Sequence, residues 1–144
     1  MNMATEILVN DGGAPARIMN LGSANAAIEA GIFVDINSSG KIVAATDDQE
    51  ASSSGEKVAL GVLLVDAVSG GPTSIITGKG IVCNVQVGDT ISAIGTELTL
   101  DNAGKVEPTA DADAHRAVAI SLAASFTGKD SSGTDTTFVK VLLL

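Results

Sequence analysis

Cys83 and His115 are the first side chains to consider, because they are the chain's single thiol and its single imidazole. A thiolate beside a histidine base can act as a nucleophile. The pattern around Cys83 argues against that chemistry, since the apolar Ile81 and Val85 flank it at alternate positions of a predicted strand. His115 follows an Asp-Ala-Asp-Ala stretch that is typical of a solvated loop. We therefore predict a chain that is not an enzyme, in which Cys83 is a buried, inert thiol.

Two Gly-Lys turns imitate ligand sites. The segment 35–40 begins like a calcium loop, but Thr46 stands where the bidentate glutamate would be. The segment 101–105 resembles the hairpin tip of biotinyl and lipoyl carrier domains, with Lys105 as the modified lysine, although Asn-Ala-Gly-Lys differs from the Met-Lys-Met or Asp-Lys-Ala of the carriers. Because Gly-Lys recurs at the same place in both segments, we predict two hairpin turns, no metal site and no cofactor.

Acidic side chains in two polar stretches could also hold a cation, although solvated loops are the better interpretation. These residues are Asp47, Asp48, Glu50, Asp111 and Asp113.

The composition describes an acidic, aromatic-poor chain of 144 residues, with 45% hydrophobic residues, 16 glycines, three phenylalanines and no Trp or Tyr. The β-branched residues stand between clusters of turn residues, which is typical of a β protein. The net charge of −9 and the scattered basic residues argue against a nucleic-acid or membrane partner. A single cysteine excludes an intramolecular disulfide, and the N-terminus lacks a secretory pattern. We expect a soluble protein made in a cytoplasm.

An internal repeat dominates the sequence. Residues 16–47 align without a gap with residues 80–111, and 60–67 resembles 118–125. The identical pairs are Asn20 and Asn84, Gly31 and Gly95, Gly40 and Gly104, Lys41 and Lys105, and Asp47 and Asp111. The pattern predicts an all-β fold, a small barrel or sandwich made of two pseudo-repeated strand–turn–strand units related by a pseudo-twofold axis, with little helix.

Three segments complete this organisation. Residues 1–15 lie outside the repeat as an N-terminal arm, and residues 16–79 and 80–144 form the two repeats of one compact domain. Because the arm is predicted to be separate, deleting Met1 to Asn10 is expected to leave the melting temperature unchanged. The segment 23–30 could form about two helical turns, although its counterpart 87–94 is β-branched and suits a short turn equally well.

Four stretches carry a resemblance to a known family: Ala30–Val34, Ser39–Val43, Leu60–Ala67 and Phe138–Leu144. From about Asn10 onward the chain resembles the head decoration (capsid cement) proteins of tailed bacteriophages. The resemblance implies a virion protein on the exterior of the capsid, bound to the major capsid protein and to copies of itself. It implies trimers at threefold or quasi-threefold positions, which stabilise the capsid without chemistry.

The contacts of such a protein are a hypothesis at this stage. We expect Ile7, Leu8 and Val9 of the arm, and Val141 and Leu143 of the apolar C-terminal strand, to contact the capsid or another subunit. An adhesive or receptor-binding β module on a virion surface is the alternative function, and a biotinyl or lipoyl carrier domain is a remote one.

Overall fold

The computed structural model describes residues 3–10, 17–46, 58–109 and 117–144. These residues form twelve β-strands and no helix, as predicted for an all-β chain. The strands are β1 (Leu8–Asn10), β2 (Ile18–Met19), β3 (Phe33–Ile36), β4 (Ile42–Ala44), β5 (Gly61–Leu63), β6 (Ile75–Ile76), β7 (Val82–Gln86), β8 (Glu97–Leu100), β9 (Val106–Pro108), β10 (Ala119–Ser121), β11 (Phe126–Lys129) and β12 (Asp135–Leu143). Nothing in the described ranges is a helix of the length and hydropathy needed to cross a membrane.

The strands form two antiparallel sheets. The first sheet has the order β2-β6-β5-β3-β4, and the second has the order β1-β7-β12-β10-β8-β9, with β11 paired to β12 beside β10. The nine-residue β12 is the backbone of the second sheet, because it pairs with β7 on one side and with both β10 and β11 on the other. The two sheets make a sandwich and not a closed barrel, which agrees with one of the two predicted architectures.

The aligned segments of the sequence occupy matching places in the two sheets. The strand order β2-β6-β5-β3-β4 of the first sheet corresponds, strand by strand, to β7-β12-β10-β8-β9 in the second. The registers match as well, since Val34 lies opposite Ala44 and the aligned Leu98 lies opposite Pro108. Among the described strands, β1 and β11 have no counterpart in the first sheet.

The two sheets share one hydrophobic core, to which they contribute unlike faces. Phe33 and Ile76 of the first sheet are buried in it, whereas their counterparts Glu97 and Leu142 lie outside it, exposed and half-buried. The second sheet contributes its opposite face: Cys83, Val85, Leu98, Leu100, Val106, Ala119, Val139, Val141 and Leu143. A pseudo-twofold axis would bury the same positions in both units, so that expectation is wrong.

A second, smaller core lies on the other face of the first sheet, where the segment 23–30 covers it. This segment is not helical, because its peptide groups bind neighbouring strands and loops instead. Ala24 forms a bridge with Ile42, and the Ile28 and Ala67 peptide groups exchange two hydrogen bonds of 3.0 and 2.9 Å. The prediction of two helical turns is therefore wrong at this position, and the counterpart 87–94 is not helical either.

The described part of the predicted arm lies along the second sheet. Leu8–Asn10 forms β1 and pairs with β7, while the Thr5 N–H donates to the Lys129 carbonyl at 2.9 Å at the end of β11. Since β7 and β11 flank β12 on opposite sides, the intervening residues cross β12, and Ile7 is buried there in the shared core. Deletion of the segment is consequently expected to reduce stability, and the boundary at residue 15 stays a prediction.

Candidate functional site

Cys83 lies in the middle of β7, fully buried in the shared core. Burial raises the pKa of its thiol to about 12, so the thiol is protonated at neutral pH and is a poor nucleophile. The predicted burial of Cys83 is confirmed. His115, its only candidate histidine partner, lies outside the described residues.

The two Gly-Lys segments are hairpin turns, as predicted. The Asn37 side-chain oxygen accepts hydrogen bonds from the backbone N–H groups two and four residues on, at 2.9 and 3.0 Å. Asp101 Oδ1 makes the same pair at 2.8 and 3.0 Å, and Gly40 and Gly104 have φ values of +74° and +73°. The Asn37 oxygen of the calcium-loop imitation is thus used by the turn itself. Lys105 lies half-buried where the turn enters β9 and not at the tip, which does not favour a carrier function.

A third turn, between β11 and β12, has the same geometry. Asp130 Oδ1 accepts hydrogen bonds from the backbone N–H groups of Ser132 and Thr134 at 2.9 and 2.8 Å. Hydrogen bonds, that of the Ser132 hydroxyl first, hold the pKa of the Asp130 carboxyl below its usual value. The carboxylate therefore stabilises a turn.

Metal ligation finds no support within the ranges that the structure describes. No group of three His, Cys, Asp or Glu side chains there could hold an ion. The acidic residues 47, 48, 50, 111 and 113 lie outside those ranges.

Two of the cavities that the described residues form open on the surface. One, of about 470 Å³, lies between the two sheets and is bordered by Phe33, Val118 and Leu143. The other, of about 290 Å³, lies beneath the N-terminal segment and is bordered by Ile7 and Phe138, and also by the charged Asp66 and Lys129. Both have mainly apolar walls, so they suit apolar contact better than acid–base chemistry.

The five predicted contact residues occupy very different positions. Ile7, Val141 and Leu143 are buried within the chain itself. Leu8 is half-buried, and Val9 has 45% of its surface exposed. Val9 therefore offers the most surface to a partner.

The best-defined polar contact is the one that holds the N-terminal segment on β7. The Asn84 backbone N–H donates to the Ile7 carbonyl at 2.8 Å, and Asn84 Nδ2 donates to the Glu6 carbonyl at 2.7 Å. Further along the same edge, the Gln86 N–H donates to the Gly31 carbonyl at 2.8 Å. One edge of β7 thus binds the N-terminal segment through Asn84 and the first unit through Gln86. The alignment pairs Asn84 with Asn20.

Gln86 is a buried polar residue that the sequence did not reveal. Its side chain is 1% exposed, and Nε2 donates to the Ala30 carbonyl at 3.0 Å. Its Oε1 has no hydrogen-bond partner within the described parts of the chain. The alternation of β7 places Gln86 on the polar face, and no local signal shows that the first unit and residues 5–7 cover that face.

Comparison with known proteins supports the fold. No protein-family model and no curated protein sequence matches the chain. A solved structure that does match is "The crystal structure of head fiber gp8.5 N base in bacteriophage phi29", with a TM-score of 0.59 and 16% sequence identity. The match covers 85% of this chain and 90% of that chain. At this identity the similarity shows a shared fold, and the matching protein comes from a phage head, as the sequence resemblance had indicated.

Proposed function

We propose that the protein is a structural component of a phage virion that binds the outer surface of the assembled head and stabilises it. The observation that carries this proposal is the fold shared with a phage head fiber base over 85% of the chain. The family resemblance in the sequence is an independent argument for the same class of protein. We further propose that the protein acts without catalysis, as trimers at threefold or quasi-threefold positions, with the major capsid protein as its partner.

The internal repeat supports a role in building surfaces. The matching strand order and register of the two sheets favour an origin from two copies of one unit. Two similar sheets that pack through unlike faces leave dissimilar outer surfaces, one for each type of neighbour. We propose Val9 and the half-buried Leu8 as contact residues, since Ile7, Val141 and Leu143 are occupied within the chain.

Binding to capsids tests the proposal directly. Expanded heads of the phage that encodes the chain, prepared without this protein, would be mixed with the purified protein and sedimented. We expect saturable binding, a higher temperature of head disruption, and free protein with a light-scattering mass three times that of one chain. Heads that neither bind the protein nor gain heat or chelator resistance would overturn the function, whereas a monomeric mass would overturn only the trimer.

An adhesive module is the second candidate, because the matching structure is described as the base of a fiber. A base that carries or forms a fiber can serve attachment to a host surface. The two functions differ in what the purified protein binds. Binding to host cells, with no effect on the stability of heads, would favour the adhesive module.

A further inference from the structure

The cavity beneath the N-terminal segment, of about 290 Å³, has a buried apolar floor and an exposed apolar residue at its rim. Ile7 and Phe138 form the floor and are 6% and 2% exposed, whereas Val65 at the rim is 55% exposed. A space of this size lies at the lower limit of small-molecule sites, which begin near about 300 Å³. The cavity therefore suits one long side chain better than a large ligand.

Three carboxylates border the same cavity, and no basic group of a described residue neutralises them. These carboxylates belong to Glu6, Asp66 and Asp130. Lys129 also borders the cavity, but its ammonium group forms an ion pair with Asp135. The Asp66 carboxylate accepts hydrogen bonds from two neutral groups, the Ala30 N–H at 2.7 Å and the Ser131 hydroxyl. The lining therefore keeps a negative charge, to which a cation is complementary.

The charge of Asp130 is not required by the turn that this residue stabilises. Asn37 accepts the same two backbone hydrogen bonds, at 2.9 and 3.0 Å, through an uncharged amide. The pKa of the Asp130 carboxyl is lowered by its hydrogen bonds, that of the Ser132 hydroxyl first, so the group is ionised at neutral pH. The turn thus explains the oxygen acceptor at position 130 and leaves its charge unexplained.

The lysine and arginine side chains outside the described ranges start too far away to fill the cavity. These residues are Lys57 and Arg116. Their neighbours in sequence, Val58 and Ala117, both border the other cavity together with Leu143. Leu143 lies five residues along β12 from Phe138, a distance of about 17 Å that exceeds the reach of a side chain.

Electrostatics also disfavours a second copy as the source of the cation. Each chain carries a net charge of −9, so two copies repel each other as they approach this acidic cavity. A less acidic protein that presents a basic side chain meets no such repulsion. Lysine and arginine have an aliphatic stem and a charged end, which match the apolar floor and the carboxylates.

We propose that this cavity binds a lysine or arginine side chain of a different protein of the phage head, an inference that rests on the proposed function. The aliphatic stem of that side chain packs on Val65 and Ile7, and its charged end meets the carboxylates of Glu6 and Asp130. One exposed ion pair contributes little free energy. Many copies on a repeating shell make such contacts effective through avidity.

Matched removals of one charge test the cavity. Asp130→Asn removes the charge and keeps the turn acceptor, as the Asn37 turn shows. Asp101→Asn is the control, because it makes the same change in a turn of the same geometry that does not border the cavity. In sedimentation with heads that lack the protein, we expect binding about fivefold weaker for Asp130→Asn and at least about tenfold weaker when Glu6→Gln is added. Asp101→Asn should bind like the unmodified protein.

A chemical probe gives a second readout that does not depend on heads. The n-butylammonium ion has an aliphatic stem and one positive charge, and n-butanol has the same stem without the charge. We expect n-butylammonium to shift the NMR signals of Ile7 and Phe138 saturably in the unmodified protein and in Asp101→Asn. Its affinity should be at least about threefold lower in Asp130→Asn, and n-butanol should bind more weakly than the cation.

Four outcomes would overturn the proposal. Equal weakening by Asp101→Asn and Asp130→Asn would mean that only the overall charge matters. Absence of saturable shifts with n-butylammonium would mean that the cavity takes no cation, and nuclear Overhauser contacts between Met1 and Phe138 in the free protein would mean that this chain already fills it. If the unmodified protein and Asp130→Asn bind heads equally well, the cavity proposal is wrong and the proposed function stands. If the unmodified protein does not bind heads, both fail.

Discussion

The two sheets have the same strand order and the same register, yet they differ in what covers them. In the second sheet the outer edge of β7 carries the N-terminal strand, held by Asn84. In the first sheet the matching edge of β2 carries no described strand. The faces of the two sheets also differ in burial. Phe33 and Ile76 of the first sheet are buried against the second sheet, while their counterparts Glu97 and Leu142 point outward.

This difference teaches that a repeated strand pattern does not assign the same role to both copies. Alternation gives each sheet two faces, and the way the units are joined decides which face becomes core. Because non-equivalent faces pack together, the face that is buried in the shared core in one unit is an outer face in the other. Matched substitutions at aligned positions measure this asymmetry directly.

The largest expected effect comes from aligned apolar residues on the unlike faces. Ile76→Ala removes a fully buried side chain and should lower the free energy of unfolding by about 4 kcal/mol. Leu142→Ala, at the half-buried position that pairs with Val82 as Ile76 pairs with Ile18, should cost about 1–2 kcal/mol. Urea denaturation measures both. Equal losses would mean that the two faces have equivalent surroundings in solution, contrary to the structure.

The aligned turn glycines Gly40 and Gly104 allow the surroundings of the two turns to be compared by adding one methyl group. Gly40 and Gly104 have nearly the same positive φ, so alanine strains the backbone by about 1 kcal/mol at either position. A Cβ on Gly104 would lie 2.5 Å from the Phe33 carbonyl oxygen, whereas a Cβ on Gly40 would meet nothing within 4 Å. We expect thermal unfolding to show a loss of about 3 kcal/mol for Gly104→Ala and about 1 kcal/mol for Gly40→Ala.

The N-terminal segment should contribute stability to the second sheet. Deleting residues 1–10 removes the burial of Ile7 and the hydrogen bonds to Asn84, at a cost of about 2–3 kcal/mol. Deletion of residues 1–3 is the control, because Met3 is exposed. A melting temperature that both deletions leave unchanged would show that the segment does not hold to β7 in solution.

The last effect, smallest when counted for one pH unit, concerns the aligned pair Met19, which is exposed, and Cys83, which is buried. Folding raises the pKa of the Cys83 thiol from 9.0 to about 12, so the folded state retains the proton more strongly. The associated stability is fully present below pH 9 and declines as pH rises toward 12. Over this interval the unfolding free energy should fall by about 1 kcal/mol per pH unit more in the unmodified protein than in Cys83→Ala. Parallel pH profiles would contradict the burial of the thiol.

The sequence alone determined the features that depend on local pattern. Alternation predicted the all-β class and the burial of Cys83, because neighbouring residues of a strand must point to opposite faces. The turns at Gly40 and Gly104 were predictable because a positive φ favours glycine wherever it occurs. None of these features requires knowledge of a distant part of the chain.

Only the tertiary structure decided what covers each face and edge. Glu97 and Phe33 occupy aligned positions, but the packing of the sheets puts one in solvent and the other in the core. The segment 23–30 has a helical pattern, yet it is not helical because Ala24 and Ile28 form β-bridges with Ile42 and Ala67. The placement of residues 5–10 across the second sheet, and with it the burial of Gln86, likewise follows from contacts between residues far apart in sequence. Local spacing fixes which side chains share a face, whereas burial depends on the surface that meets it.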